Sequence, residues 1–207
     1  MVLFALLAIE PPDRVTWALE NGMFLAGMLL LWTTRKQVAF SNTAFTLIFA
    51  FSVLHLIGAH YTYTLVPYDA WWEALTGRTL NSLFGWERNN YDRLVHLAFG
   101  FLLAYPMREI FLRLVAARGV ASYVLPIQMT LSWSALYELI EWLGAIVFGE
   151  GTGAAYVGSQ GDEWDAQKDM ALAGGGALAA MLLTAALHRR RGRDTQLQRS
   201  VARRERA

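Results

Sequence analysis

The sequence predicts an all-α protein: a polytopic bundle of transmembrane helices with five full spans and a short apolar N-terminal segment. Hydrophobic residues make up 55% of the 207 residues and charged residues only 17%, a balance too apolar for an ordinary soluble domain. Five apolar stretches have about the length that crosses a bilayer as a helix, roughly 20 residues. Eight Trp, eight Tyr and eleven Phe add the aromatic residues that concentrate at membrane interfaces.

The N-terminal segment, residues 1–9, is apolar but too short to cross a bilayer, which takes about 20 residues. It also lacks the basic region and small-residue cleavage site of a signal peptide. We therefore expect either an interfacial segment or the end of a sixth, truncated span whose start lies upstream. After a break that contains two prolines, residues 16–34 form the first full span, and Trp17 and Trp32 mark its two ends.

Four further apolar stretches predict the remaining spans, over residues 38–59, 91–114, 122–148 and 170–187. Residues 65–90 are predicted to lie along the surface as an amphipathic segment. A Gly-rich loop is predicted over residues 149–161. Residues 1–187 thus form a single transmembrane domain, and residues 188–207 form a basic, disordered tail. Beside a membrane helix, such a tail is expected to bind anionic lipid headgroups rather than nucleic acid.

The distribution of charge predicts the orientation. Each span carries the chain across the membrane, so every second connection lies on the same side. One side therefore holds residues 35–37, residues 108–118 and the tail. That side holds 13 of the 18 Lys and Arg residues but only 3 of the 17 acids. Because basic residues are retained in cytoplasmic loops, we expect the N-terminus outside and the C-terminus in the cytoplasm.

Polar residues from four segments meet at the predicted outer end of the bundle. They are His55 and His60, Asp92 and His96, Glu138 and Glu141, and Asp162, Asp165 and Asp169. Pairs spaced three or four residues apart lie on one helix face. The six carboxylates have only Arg93 and Lys168 as basic neighbours in the sequence. Such an excess of buried acid requires protons, a cation or a metal ion.

Several of these residues also have an ordinary structural interpretation. Asp92 and Asp162 could be helix N-caps, where Asp is favoured. His55 alone is more often a hydrogen-bonded or interfacial histidine than a ligand. In contrast, Glu138 and Glu141 are two acids one turn apart inside a span, where there is no helix end to cap. Gln160, Gln167 and Lys168 complete the polar layer.

Four segments resemble the signature segments of the YjdF-type inner-membrane proteins. They are GAHYTY at residues 58–63, YDRLVH at 91–96, YELIEW at 137–142 and QGDEWDAQKDM at 160–170. The resemblance runs in the same order from about Pro12 to Leu187. It implies a multi-pass protein of the bacterial inner membrane, and it implies no particular reaction.

A more distant likeness is to the VanZ-like membrane proteins. These show an Asp-x-x-x-His pair, a Glu near a helix end, and an Asp-x-x-x-Asn before a helix of small residues. Asp92 with His96, Glu138, and Asp165 with Asp169 are similar, although Asp169 stands where that pattern has Asn.

These observations favour a metal-dependent membrane enzyme that acts at the outer leaflet on a lipid-linked or phosphorylated substrate. The predicted metal ligands are His60, His96, Glu138, Glu141 and Asp169, and the predicted general base is Asp165 or Asp162. Because the chain has no Cys, the ligands are imidazole and carboxylate, which suit Zn, Mn, Fe or Mg.

The alternative is a transporter that binds protons or cations with the same carboxylates. Two features make a transporter less favoured: the acids cluster at one end of the bundle, and the sequence shows no inverted repeat. A role in membrane assembly or structure is the third possibility. The sequence leaves the oligomeric state open.

Overall fold

The computed structural model describes residues 2–191, and the regular structure of this part of the chain is entirely helical. The helices are α1 (Val2–Leu7), α2 (Arg14–Thr34), α3 (Asn42–His60), α4 (Tyr68–Thr76), α5 (Leu80–Phe84), α6 (Tyr91–Leu114), α7 (Ala121–Val157) and α8 (Asp165–Arg191). Five segments are long and apolar enough to cross a membrane: α2, α3, α6, Ala121–Gly149 of α7, and α8. The predicted all-α bundle with five spans is therefore confirmed. The predicted tail lies outside the described residues from position 192 onward.

Local capping sets the ends of the helices more sharply than hydropathy does. The α3 helix begins at Asn42 rather than at residue 38, because the Ser41 hydroxyl accepts a hydrogen bond from the Ala44 amide at 3.2 Å. The α8 helix begins at Asp165 rather than at residue 170. As a result, Asp165 and Asp169 belong to the first turns of a helix and not to the loop before it.

The α7 helix reverses direction at Gly149, whose φ of 73° and ψ of −165° are not helical. The following residues form a helix up to Val157, so the prediction of a Gly-rich loop over residues 149–161 is wrong for this part. Small residues let the returning segment lie against its own span. A Cβ atom on Gly153 would sit 2.7 Å from the Ala145 Cα, and one on Gly144 would sit 2.6 Å from the Tyr156 ring.

The connection between α3 and α6 forms two short helices, α4 and α5, as expected for an amphipathic surface segment. Several of its large apolar side chains are exposed, including Trp71, Trp72, Leu75 and Phe84. Exposed tryptophans beside transmembrane helices are typical of the membrane interface.

The α6 and α8 helices make the most extensive interhelical contact of the bundle. Glycines allow it, because a Cβ atom on Gly100 would overlap the Ala173 carbonyl, and one on Gly176 would overlap the Leu97 carbonyl. Such close approach of backbones at small residues is typical of membrane helix packing. The crossing fixes the first turns of α6 beside the first turns of α8.

The connections gather at two opposite ends of the bundle. At one end, His60 Nδ1 lies 3.0 Å from the Leu7 carbonyl oxygen, and the Arg88 guanidinium donates to the Ser159 carbonyl at 3.0 Å. We call this the site end; it holds α1, residues 61–90 and residues 150–164. At the other end, the Ser41 amide donates to the Glu109 carboxylate at 2.9 Å and so ties α3 to α6.

Candidate metal centre

Asp92, His96 and Asp169 form a compact group of potential metal ligands at the site end. One ligand atom from each residue lies within 4.8 Å of the other two. All three are buried, with exposed fractions of 8%, 7% and 2%. Asp92 and His96 are one turn apart on α6, and Asp169 is on the second turn of α8. The close crossing of these two helices therefore assembles the group.

Glu138 of α7 brings a further carboxylate to the same imidazole. His96 Nε2 lies 3.5 Å from the Asp92 Oδ1 atom and 3.6 Å from the Glu138 Oε1 atom. Glu138 Oε1 and Asp169 Oδ1 are buried and receive no hydrogen bond from any residue that the structure describes. An unsatisfied buried polar atom costs about 1–3 kcal/mol. A cation or a proton in the group would remove that penalty.

The chemistry of these donors fits a divalent metal ion. One imidazole nitrogen and two or three carboxylate oxygens form the oxygen- and nitrogen-rich set that Zn, Mn, Fe and Mg accept. Asp92, which the sequence placed only in the surrounding polar layer, belongs to the central group. Glu141, predicted as a ligand, is buried next to Glu138 on α7 but lies outside the group of three.

A separate cluster of ion pairs joins the start of α8 to the residues before α6. Arg88 Nη1 lies 2.5 Å from the Asp165 carboxylate, and Lys168 Nζ lies 2.6 Å from the Asp162 carboxylate. The Arg93 guanidinium is paired with Asp162 as well. Three basic side chains of the site end are thus engaged by Asp165, the first residue of α8, and by Asp162 just before it.

This cluster weakens the prediction that Asp162 is a general base. Hydrogen bonds from Lys168 above all, and from the Trp164 backbone amide at 3.1 Å, lower the pKa of the Asp162 carboxyl from 3.8 to about 2. A carboxylate held in its ionised form so strongly is a poor proton acceptor. The contact with the Trp164 amide forms an Asx turn. Because α8 begins at Asp165, Asp162 lies before the helix and is not its N-cap.

Asp92 is not a helix cap. Asn90 occupies the N-cap position of α6, and Asp92 is the second residue of that helix. Its carboxylate is 3.5 Å from His96 Nε2. The capping interpretation of Asp92 is therefore wrong.

The two histidines of α3 make other contacts. His60 lies 3.0 Å from the Leu7 carbonyl oxygen, so its ring faces α1 rather than the group of three. His55 accepts or donates a hydrogen bond at 2.6 Å with the Tyr63 hydroxyl, and its ring stacks on Phe24 with centroids 4.8 Å apart. His55 is thus the hydrogen-bonded histidine that its ordinary interpretation describes.

The two glutamines of the polar layer have different surroundings. The side-chain amide of Gln160 donates to the Asn89 carbonyl at 2.9 Å and accepts from the Asn89 amide at 3.0 Å. These two hydrogen bonds hold the backbone of Asn89, the residue next to Arg88. Gln167 is exposed on the surface of α8.

A small polar cavity with room for about one water molecule opens beside the group of three. Its lining residues come from four parts of the chain: Glu20, Thr62, Tyr63, Asp92, Glu141, Tyr156, Val157 and Gly158. Asp92 thus belongs both to the cavity wall and to the candidate metal group.

Sequence analysis missed Glu20 and Arg88. Glu20 is the seventh residue of α2, is only 2% exposed, and accepts a hydrogen bond from the Tyr137 hydroxyl. An acid inside a span is by itself a signal of function, and that signal was available for Glu20 as it was for Glu138. Arg88 had no such signal, because a basic residue in a surface connection is common.

Comparison with known proteins gives two matches and one negative result. The family DUF2238, described as a predicted membrane protein, matches residues 1–190. The inner membrane protein YjdF of Escherichia coli (strain K12) is 35% identical over 183 residues, which are 87% of this chain and 82% of that protein. No solved structure matches the chain.

Proposed function

The chain belongs to the DUF2238 family of predicted membrane proteins, and we propose that it is a metal-dependent membrane enzyme. We assign the metal ion to Asp92, His96 and Asp169. The observation that carries this proposal is the convergence of three buried ligand atoms from α6 and α8 within 4.8 Å of one another. The unsatisfied Asp169 Oδ1 and Glu138 Oε1 atoms support it, because both would gain a partner from a cation.

The position of the group favours an enzyme over a transporter. Asp92 and His96 are the second and sixth residues of α6, and Asp169 is the fifth residue of α8. The group therefore lies near one end of the spans, whereas the ion sites of secondary transporters lie near the midplane. The small polar cavity beside the group has room for about one water molecule.

The residues around the group would have distinct roles. A divalent ion there would act as a Lewis acid and lower the pKa of a bound water. Glu138 is our choice for the general base, because it reaches His96 and no described basic residue other than His96 pairs with it. Asp162 and Asp165, paired with Arg88, Arg93 and Lys168, position the start of α8.

We place the protein in the inner membrane with the site end outside and the C-terminus in the cytoplasm. The relative YjdF is named an inner membrane protein. The excess of Lys and Arg on the other side supports the orientation. The site would then act on a substrate at the outer leaflet.

Metal analysis of the purified protein tests the proposal. The detergent-solubilised protein should retain close to one equivalent of a divalent transition metal or Mg. The variants His96→Ala and Asp169→Asn should lose most of it, because each removes one of the three ligands. His60→Ala is the matched control, since His60 is a histidine of the same end that contacts the Leu7 carbonyl instead.

Two results would contradict the proposal. One is wild-type protein that binds no metal after incubation with Zn, Mn, Fe and Mg in turn. The other is equal loss of metal from His60→Ala and His96→Ala, which would mean that the group of three is not the site.

A further inference from the structure

The two short helices of the site end, α4 and α5, carry large apolar side chains that remain exposed. On α4, Trp71, Trp72 and Leu75 are spaced to lie on one side of the helix. All three are exposed, Leu75 by 83%. At the end of α5, Phe84 is 62% exposed, and its ring stacks on that of Trp86 with centroids 4.7 Å apart. Single exposed apolar residues are common, but this many on one short connection mark an interaction surface.

Neither its length nor its packing stabilises α4 strongly. The helix has only nine residues, whereas an isolated helix in water is marginal below about 12–15 residues. None of its own residues is buried. The helix is nevertheless amphipathic, because Glu73 lies on the side opposite to Leu75. A surface that takes up the apolar side of α4 would supply the missing stabilisation.

Both ends of this connection are attached to membrane spans. The α4 helix begins at Tyr68, soon after α3 ends at His60, and α6 begins at Tyr91, soon after α5 ends at Phe84. The connection is therefore held at the end of the bundle, where the hydrocarbon around the spans gives way to lipid headgroups. Tryptophans and helices with one apolar side are typical of that layer. The surface nearest to the exposed side chains is thus the bilayer.

The charge of α4 and α5 argues against attraction to anionic headgroups. Between residues 68 and 84, the charged side chains are Asp69, Glu73 and Arg78. The segment thus carries more negative than positive charge, whereas anionic lipid surfaces attract polybasic segments. Its attraction to a bilayer therefore comes from the burial of apolar surface.

Polar contacts tie α4 and α5 to the start of α8. The Asp69 carboxylate accepts a hydrogen bond from the Asn81 amide at 3.1 Å, and the Asn81 side chain donates to the Arg88 carbonyl at 3.1 Å. Arg88 in turn lies 2.5 Å from the Asp165 carboxylate. Asp169 of the candidate metal group follows Asp165 by one helical turn, a rise of about 6 Å. The depth of α4 and α5 in a membrane is therefore linked to the depth of the metal group.

We propose that α4 and α5 insert their apolar side chains into the outer leaflet, with Leu75 and Phe84 below the headgroups, and that the candidate metal group lies at headgroup level. The partner of this surface is the bilayer rather than a soluble protein or a second copy of the chain. The assignment rests on the proposed function in one respect. It makes the headgroup of a membrane lipid, or of a lipid-linked molecule, the class of substrate that reaches the metal.

Spin labels on single-cysteine variants test the insertion, since the sequence has no Cys of its own. The full-length protein is labelled at Leu75→Cys, Phe84→Cys or Glu73→Cys, all exposed positions, and placed in nanodiscs. The first two labels should collide more with oxygen, which dissolves in lipid, than with a water-soluble nickel complex. They should lie about 5–10 Å into the boundary between headgroups and acyl chains. Glu73→Cys, on the opposite side of α4, is the matched control and should show the reverse preference.

Two further measurements separate this surface from its alternatives. The labels at Leu75→Cys and Phe84→Cys should have the same depth in phosphatidylcholine and in phosphatidylglycerol, because apolar burial does not depend on headgroup charge. A label at Trp164→Cys, an exposed position directly before α8, reports the level of the metal group. It should lie among the headgroups, between the depths of the Leu75→Cys and Glu73→Cys labels.

Four outcomes overturn the assignment. Labels at Leu75→Cys and Phe84→Cys that prefer the nickel complex would show that the surface faces water, and magnetic coupling between two labelled chains would show that a second copy covers it. Insertion only in phosphatidylglycerol would show that headgroup charge drives it. A Trp164→Cys label far out in water would separate the metal group from the headgroups.

The metal content of the same samples separates the two proposals. Protein that inserts α4 and α5 but holds no metal contradicts the metal centre and leaves the membrane surface standing. Metal-loaded protein whose Leu75→Cys and Phe84→Cys labels lie in water contradicts the membrane surface alone.

Discussion

At the scale of single residues, the carboxylates of the site end differ in whether a basic side chain reaches them. Asp162 and Asp165 are paired with Arg88, Arg93 and Lys168 at the start of α8. The acids deeper in the bundle have no Lys or Arg partner in the described part of the chain. The outer pair therefore anchors the start of α8 through its ion pairs, and the inner acids are the ones available to a ligand.

The pKa of Asp162 leads to a prediction about pH. This carboxyl has a pKa of about 2 in the folded protein against an ordinary value of 3.8, so its ion pairs contribute stability above pH 3.8 that is lost as the pH falls toward 2. Asp162→Asn should lower the unfolding temperature in detergent by the same amount at every pH from about 5 to 8. The wild-type advantage should shrink only below pH 3.8.

The control for this experiment is Glu163→Gln, because Glu163 is the exposed neighbour of Asp162 and should have little effect at any pH. A wild-type advantage that changes within the range from about pH 5 to 8 would show that Asp162 titrates there. In that case the ion pairs with Lys168 and Arg93 do not hold it as the structure describes.

Much of the candidate site could be predicted from spacing alone. Asp92 and His96 share a helix face because they are four residues apart, and an acid inside a span such as Glu138 signals function. Which acids share a ligand could not be predicted, since that depends on how the helix faces are rotated toward one another. Arg88 could not be assigned either, because its contact with Asp165 joins residues 77 positions apart.

At the scale of the helices, hydropathy predicts the spans but not their ends. It cannot detect that Ser41 caps α3 or that the Lys168 amide already donates to the Trp164 carbonyl at the start of α8, because both depend on individual hydrogen bonds. It also missed the return of α7 after Gly149. Residues 150–157 contain glycines that favour a loop in the sequence, but in the structure Gly144 and Gly153 let this segment pack closely on its own span.

The crossing of α6 and α8 gives a prediction about the glycine run of α8. Gly176→Ala should destabilise the protein by about 1–3 kcal/mol, as overpacking does, because the added Cβ atom would meet the Leu97 carbonyl and the Phe101 amide. The two helices should then separate around the Asp92, His96 and Asp169 group. The measurements are thermal unfolding in detergent and metal content.

Gly175→Ala is a control one residue away. A Cβ atom on Gly175 would have no neighbour within 4 Å, so this variant shows only the higher helix propensity of Ala, about 0.5–1 kcal/mol in favour of the fold. Equal behaviour of the two variants would mean that α6 and α8 do not approach as closely as the structure shows.

At the scale of the whole molecule, the contacts between connections determine which of them share a side of the membrane. Residues 61–90 and 150–164 are joined by the hydrogen bond from Arg88 to Ser159 and by the pair of hydrogen bonds between Asn89 and Gln160. The loop around Lys36 lies at the opposite end, where Ser41 contacts Glu109. The fold therefore groups the connections independently of their charge, and the excess of Lys and Arg says which group faces the cytoplasm.

The absence of cysteine from the sequence makes this orientation testable in single-cysteine variants. Glu87→Cys and Glu163→Cys place a thiol at exposed positions of the site end, and Lys36→Cys places one at an exposed position of the opposite end. In intact spheroplasts, a membrane-impermeant maleimide should label the first two variants and leave Lys36→Cys unlabelled until the membrane is opened. The reverse pattern would put the metal group on the cytoplasmic side. It would then contradict the proposal that the enzyme acts on a substrate at the outer leaflet. Different labelling of Glu87→Cys and Glu163→Cys would contradict the fold itself, because the contacts of Arg88 and Gln160 require these two connections to lie on one side.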